Sequence, residues 1–345
     1  MTKKLTASAV SASVLVAAIA AVLGTTPASA VSAPLNSTRI AVHFDLAKGQ
    51  APENITLAPG GAAYVTFAAS RQVAEITPRG TTRILATLPE PADRGIHTPA
   101  MGFPLTVGIV RAHDGTLYFL YATGTPDLTG VWRLRPGGVP QRISALPSNG
   151  LPNGLALDAR TNTLYATDSV LGTIWSVPTS GGAPTAWSAA PQLASTGFLG
   201  ANGLKIHNGA VWATNLDKGT ILRIPILRDG RAGEVSTEAT GLPGIDDLAF
   251  TGRGDQLLAA LNGPSEVALV QPDGSHSIVL TASDGLQNPT SIALRGDTAY
   301  VLSAAYVTAK DPNLVVAHLN DQRRGHGTQT RGWAHHPSSH RTDGR

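Results

Sequence analysis

The chain has no cysteine. That excludes every disulfide and any anchor through a lipid-modified cysteine, so an exported form must rest on its core or on metal ions. No segment carries a sustained helical period, and prolines punctuate the chain. There is no Gly-x-Ser-x-Gly elbow, no paired histidines on a helix and no phosphate-cradling glycine loop, which sets three common chemistries aside. After the first thirty residues, no apolar run is long enough to cross a bilayer.

A surplus of positive charge is also missing from the body of the chain. The whole sequence holds 26 Lys+Arg and 23 Asp+Glu. Residues 1–30 contain two of the lysines and no acid, and residues 321–345 contain five arginines and two aspartates. Removing both leaves 19 basic and 21 acidic residues, a net charge of −2. A body so close to neutral does not offer a nucleic-acid surface.

The ends are compositionally distinct. Lys3 and Lys4 precede an Ala/Val/Leu-rich stretch from Ala7 to Leu23, and Ala28-Ser29-Ala30 is a small-residue cleavage site. This pattern predicts a secretory signal peptide over 1–30, cleaved near Ala30, and a secreted protein with no membrane attachment afterwards. The segment 321–345 is rich in Gly, Arg and His, including His326, His335, His336 and His340. Its composition predicts a disordered tail.

What the body does contain is a repeat. Six segments start alike: Pro52-Glu53-Asn54-Ile55, Leu105-Thr106-Val107-Gly108-Ile109, Pro152-Asn153-Gly154-Leu155, Ala201-Asn202-Gly203-Leu204, Ile245-Asp246-Asp247-Leu248 and Pro289-Thr290-Ser291-Ile292. Each leads through a short turn into a second β-rich stretch, as in Thr163–Ala166 after Asp158–Asn162. Periods of this size with several short strands predict an all-β, six-bladed β-propeller over 31–320. The early stretch Arg39–Phe44 has no blade of its own and is expected to pair with the last blade, closing the ring. Trp132, Trp175 and Trp212 fall within strands and are expected to pack blades. A single domain of this kind is expected to be a monomer.

The second residue of each repeat reads Glu53, Thr106, Asn153, Asn202, Asp246, Thr290. In a propeller the first strand of each blade runs beside the axis, so matched residues share one height. Glu53, Asn153, Asn202 and Asp246 would then aim two carboxylates and two amide oxygens at one point. An all-oxygen set of that kind suits calcium rather than zinc or copper. Taken singly, each Asn-Gly pair is also an ordinary turn signal, and Asp246-Asp247 could be Asx-turn residues. The shared phase of four repeats favours the metal site. Thr106 and Thr290 are expected to line the pocket.

These segments resemble the gluconolactonase, senescence marker protein and luciferin-regenerating enzyme family, with its relatives the paraoxonases and diisopropylfluorophosphatases. The resemblance covers residues 37–320, and its specific part is the order Glu, Asn, Asn, Asp in blades one, three, four and five. It implies a calcium-dependent hydrolase of lactones or esters with Glu53, Asn153, Asn202 and Asp246 as metal ligands. Asp246 or Asp247 would serve as general base or nucleophile. Asp246-Asp247 is similar to the paraoxonase Asp-Asn pair with the amide replaced. Paraoxonases carry a histidine at the start of blade two, where this chain has Phe103-Pro104-Leu105-Thr106. His97 and His113 lie close in sequence but out of phase. The expected mouth is formed by loops such as 95–103, 187–199 and 306–313. A non-catalytic secreted propeller that binds a small ligand or a protein remains the alternative reading.

Overall fold

The computed structural model describes residues 34–320, and the expected leader and His-rich tail lie outside the described residues. The chain forms six four-stranded antiparallel sheets, the blades of a β-propeller. Blade one is β2 (Pro52–Leu57), β3 (Ala63–Phe67), β4 (Gln72–Ile76) and β5 (Thr82–Thr87). Blade two is β6 (Leu105–Arg111), β7 (Leu117–Ala122), β8 (Gly130–Leu134) and β9 (Gln141–Ala145). Blade three is β10 (Pro152–Asp158), β11 (Thr163–Asp168), β12 (Thr173–Pro178) and β13 (Thr185–Ser188). Blade four is β14 (Ala201–His207), β15 (Ala210–Asn215), β16 (Thr220–Pro225) and β17 (Ser236–Ala239). Blade five is β18 (Ile245–Phe250), β19 (Leu257–Leu261), β20 (Glu266–Val270) and β21 (His276–Leu280). Blade six is β22 (Pro289–Arg295), β23 (Thr298–Ser303) and β24 (Asn313–Leu319), completed on its outer edge by β1 (Leu35–His43).

The ring closes as expected. β1 pairs antiparallel with β24, from Leu35 opposite Leu319 to His43 opposite Asn313. The N-terminal strand thus supplies the outer strand of the blade that the C-terminal end of the propeller begins. This joins the two ends of the ring by a ladder of backbone hydrogen bonds and covers the edge of β24.

Strand chemistry follows distance from the axis. The second strands are buried on both faces, and two of them read as unbroken apolar runs, Leu117–Ala122 and Leu257–Leu261. The outermost strands are mostly exposed, as in Thr185–Ser188 and Ser236–Ala239. Six apolar clusters hold the ring, each formed where two neighbouring blades meet. One joins Ala249, Leu258 and Val267 of blade five to Ile292, Val301 and Val315 of blade six. Another joins Val65, Phe67 and Ala74 of blade one to Leu302 and Leu314 of blade six. Burying both faces of each sheet against its neighbours leaves no separate domain core.

The inner strands β2, β6, β10, β14, β18 and β22 form a closed ring around the axis, each touching the next. Every one breaks register with its second strand near its start, between Pro52 and Asn54, Thr106 and Ile109, Pro152 and Leu155, Ala201 and Leu204, Ile245 and Leu248, and Pro289 and Ser291. A bulge inserts extra backbone and re-aims the side chains there. Six bulges at one level of the ring lie where the second positions of the sequence repeat fall.

Candidate functional site

The Asn-Gly pairs are not turns. Asn153-Gly154 lies within β10 and Asn202-Gly203 within β14. Their glycines are required by crowding between inner strands. A Cβ on Gly154 would stand 2.3 Å from the Asn202 carbonyl oxygen, and one on Gly203 would stand 2.5 Å from the Asp246 carbonyl oxygen. Such separations are far inside van der Waals contact, so only glycine allows the strands to approach. Threonine hydroxyls stitch the same level together. Thr167 Oγ1 accepts from the Gly154 amide at 2.8 Å and donates to the Asn202 carbonyl of the next blade. Thr214 repeats this one blade on, accepting from the Gly203 amide at 2.8 Å and donating to the Asp246 carbonyl at 2.6 Å. The backbones of Asn202 and Asp246 are therefore each tied to the blade before.

The same crowding corrects the sequence alignment in blade two. A Cβ on Gly108 would meet the Asn153 carbonyl and the Leu155 amide, as one on Gly154 meets Asn202 and Leu204. Gly108 is thus the counterpart of Gly154, and the counterpart of Asn153 is Val107, not Thr106. Thr106 sits one residue earlier, fully buried, with its hydroxyl unpartnered. Thr290 is in phase, but its hydroxyl donates to the Pro52 carbonyl at 2.9 Å and ties blade six to blade one.

The acidic members form one electrostatic cluster. Glu53 and Asp246 are 6 % and 7 % exposed. Burial pushes the Glu53 carboxyl up to about 7, with a Tyr306 hydrogen bond opposing the shift and the Asp247 charge adding to it. Burial pushes Asp246 well above the usual carboxylate range, and the charges of Glu53 and then Asp247 push it further, against Asn262 and Lys205. The Tyr306 hydroxyl donates to Glu53 Oε2 at 2.5 Å, and Asn262 Nδ2 donates to Asp246 Oδ2 at 3.2 Å. Asn202 is 2 % exposed and its side-chain oxygen has no hydrogen-bond partner. Asn153 is buried on the neighbouring strand.

Asp247 has a different role. It is 1 % exposed. Lys205 Nζ donates to its two oxygens at 2.6 and 2.7 Å, and Ser291 Oγ donates to Oδ2 at 2.6 Å. Its charge is balanced by an ammonium, whereas those of Glu53 and Asp246 are not.

This donor set fits a hard divalent cation. Two buried carboxylates repel each other, and a buried amide oxygen on the inner strand next to that of Asp246 lacks a donor. A cation would compensate all three at once. Among the described residues, no group of three or more His, Cys, Asp or Glu side chains is placed to hold a metal by itself. The axial set reaches a useful coordination number only through its amides.

The loops expected at the mouth converge on this end of the ring. Tyr306 comes from the connection between β23 and β24. Met101, Phe103, Val170, Leu216 and Tyr306 pack on one apolar cluster, and Tyr306 reaches Glu53 from it. His97 is not part of the cluster: its Nε2 lies 2.8 Å from Asp93 Oδ2 near the surface. His113 lies at the far end of the axis, beside a cavity of about 490 Å³ lined by the last residues of the inner strands. Tyr306 opens the expected mouth loop 306–313, whereas the sequence repeat does not point to Lys205, Asn262 or Ser291 as site residues. A signal for Lys205 is its position three residues past Asn202, between Leu204 and Ile206 on an inner strand.

No family model and no curated protein sequence matches this chain. Solved structures do. A calcium-binding protein, regucalcin, from Agrobacterium tumefaciens is 16 % identical with a TM-score of 0.58, covering 78 % of this chain and 90 % of its own. A luciferin-regenerating enzyme is 12 % identical with a TM-score of 0.57, covering 80 % and 94 %. A virginiamycin B lyase from Staphylococcus aureus is 15 % identical with a TM-score of 0.53, covering 79 % and 96 %. At these identities the likeness is one of fold: the chain shares the β-propeller architecture of regucalcin and the luciferin-regenerating enzyme.

Proposed function

We propose that the protein is a secreted, calcium-dependent hydrolase of small lactones or esters. The observation that carries this reading is the unpartnered, buried Asn202 oxygen on the inner strand next to that of Asp246, together with two mutually repelling buried carboxylates, Glu53 and Asp246, that lack a counter-charge. Glu53, Asn153, Asn202 and Asp246 would hold the ion. When bound, calcium supplies a positive charge that polarises a carbonyl oxygen and offsets the negative charge developing on it.

The chain's own residues supply the rest. Tyr306 orients Glu53 through its hydroxyl. Thr167 and Thr214 fix the backbone at Asn202 and Asp246. Of the two candidate bases, Asp247 has both oxygens engaged by Lys205, which favours Asp246 for the proton. In the hydrolysis, water oxygen bonds to the carbonyl carbon and its proton passes to Asp246. The ester C–O bond then breaks and the alkoxide leaves with that proton. The loops that carry Met101, Phe103 and Tyr306 keep bulk water from the carboxylates.

Turnover of a panel of lactones and aryl esters, measured with calcium and with a chelator, tests the reading. Activity that the chelator removes, and that Glu53→Ala and Asp246→Ala abolish, is the expected result. Full activity in either variant refutes the assignment. The engagement of Asp247 by Lys205 and Ser291 favours one second reading, a secreted propeller that binds a small ligand without turnover. A folded, calcium-binding protein inactive across the panel would establish it.

A further inference from the structure

Far from the bulged end of the axis, a groove of about 310 Å³ runs along the seam between blades six and one. Arg39, Arg79, Arg295 and His318 line it, and no Asp or Glu does. Among the described residues, none of these three arginines forms an ion pair. Arg71, Arg83, Arg160 and Arg231, by contrast, each lie against a carboxylate. In a body of near-balanced charge, three guanidinium groups on one groove without an ion pair and without a lining carboxylate concentrate positive potential there.

The groove is also organised. Arg295 Nη2 donates to the Tyr300 hydroxyl at 2.6 Å, and its guanidinium carbon stands 5.5 Å from the centre of that ring. Its Nη1 faces Gly61, where a Cβ would come within 3.2 Å. The missing side chain leaves that nitrogen room. Thr298 Oγ1 lies 3.2 Å from His318 Nδ1, which sets the imidazole at the groove's edge. A planar guanidinium held like that of Arg295 matches a tetrahedral oxyanion through paired N–H donors.

We infer that this groove is a second binding site, independent of the axial one, for a phosphate or sulfate ester. Its volume suits a hexose phosphate or one residue of an esterified polysaccharide. The site spans β1, β22 and β24 on one side and the turn after β4 on the other. Occupancy would therefore strengthen the seam at which the ring closes, and ligand would raise the melting temperature.

Calorimetric titration at low salt with glucose 6-phosphate, glucose, dextran sulfate and dextran tests the inference. Glucose 6-phosphate is expected to saturate one site and glucose to show no binding. Each Arg→Gln change at positions 39, 79 and 295 should weaken binding about tenfold, and added salt should weaken it further. Arg79→Gln is the safest single variant, because Arg79 is an exposed turn residue. Dextran sulfate binding more tightly per ester than glucose 6-phosphate, with the same arginine dependence, identifies a polymer as the source. Equal affinity identifies a free sugar phosphate. No saturable binding of either ester, or binding unchanged in a triple Arg→Gln variant that melts like the parent, overturns the inference.

Discussion

Replacing Glu53 with Gln should stabilise the metal-free protein and weaken the calcium-bound one. The magnitude follows from the buried carboxyl. Burial, moderated by the Tyr306 hydrogen bond and aggravated by Asp247, raises Glu53 from 4.5 to about 7. A group whose pKa is higher in the folded state binds its proton better there. Between those two values the folded chain holds more protons than the unfolded chain, so stability falls as pH rises through the window. The loss is complete above about 7 and amounts to about 3 kcal/mol. Gln carries no charge and escapes it, while its carbonyl can still accept from Tyr306. With chelator at pH 8, urea denaturation should therefore find Glu53→Gln more stable than the parent by up to about 3 kcal/mol. Near pH 4.5 the two should converge. Calcium at about one hundred times its dissociation constant should add about 2.7 kcal/mol to the parent and much less to the variant, which has lost one of two anionic ligands. A metal-free parent whose stability is flat from pH 5 to 8, or a variant destabilised in chelator, would show that the Glu53 charge is already compensated within the fold.

Three further outcomes test other parts of the axis. Lys205→Met strands the buried Asp247 charge and should cost about 3–5 kcal/mol by chemical denaturation, with Asp247→Asn added to it restoring much of the loss. Gly203→Ala puts a Cβ 2.5 Å from the Asp246 carbonyl oxygen, so it should lower both stability, by about 1–3 kcal/mol, and calcium affinity by calorimetry. Gly60→Ala, where no atom lies within 4 Å, is the silent control. Removing residues 34–43 uncovers the edge of β24, and light scattering should then report self-association through that edge.

The sequence carried the architecture because burial and repetition are written locally. Second strands buried on both faces appear as apolar runs such as Leu117–Ala122. The outer strands did not announce themselves: Thr185–Ser188 and Ser236–Ala239 are short, exposed and polar, so no apolar alternation marks them. In blade two the ring position lies one residue later than the sequence repeat implies. A bulge adds a residue without changing composition, and only the contact of Gly108 with Asn153 and Leu155 reveals that Val107 holds the ring position. The choice between turn and strand for Asn153-Gly154 was open for a similar reason. The same dipeptide serves an αL turn or a close approach of two strands, and the neighbour decides which.

By itself, the order of residues determined the six-fold repeat, the closure by the N-terminal strand and the four oxygen-bearing side chains at one phase. Each of these depends on periodicity along the chain. The tertiary structure alone decided charge balance. It gave Asp247 an ammonium 42 residues away, brought Tyr306 to Glu53 across 253 residues, and left the Asn202 oxygen without a donor. Coulomb energy and desolvation depend on distance in space and on exclusion of water, and neither is a property of position in sequence.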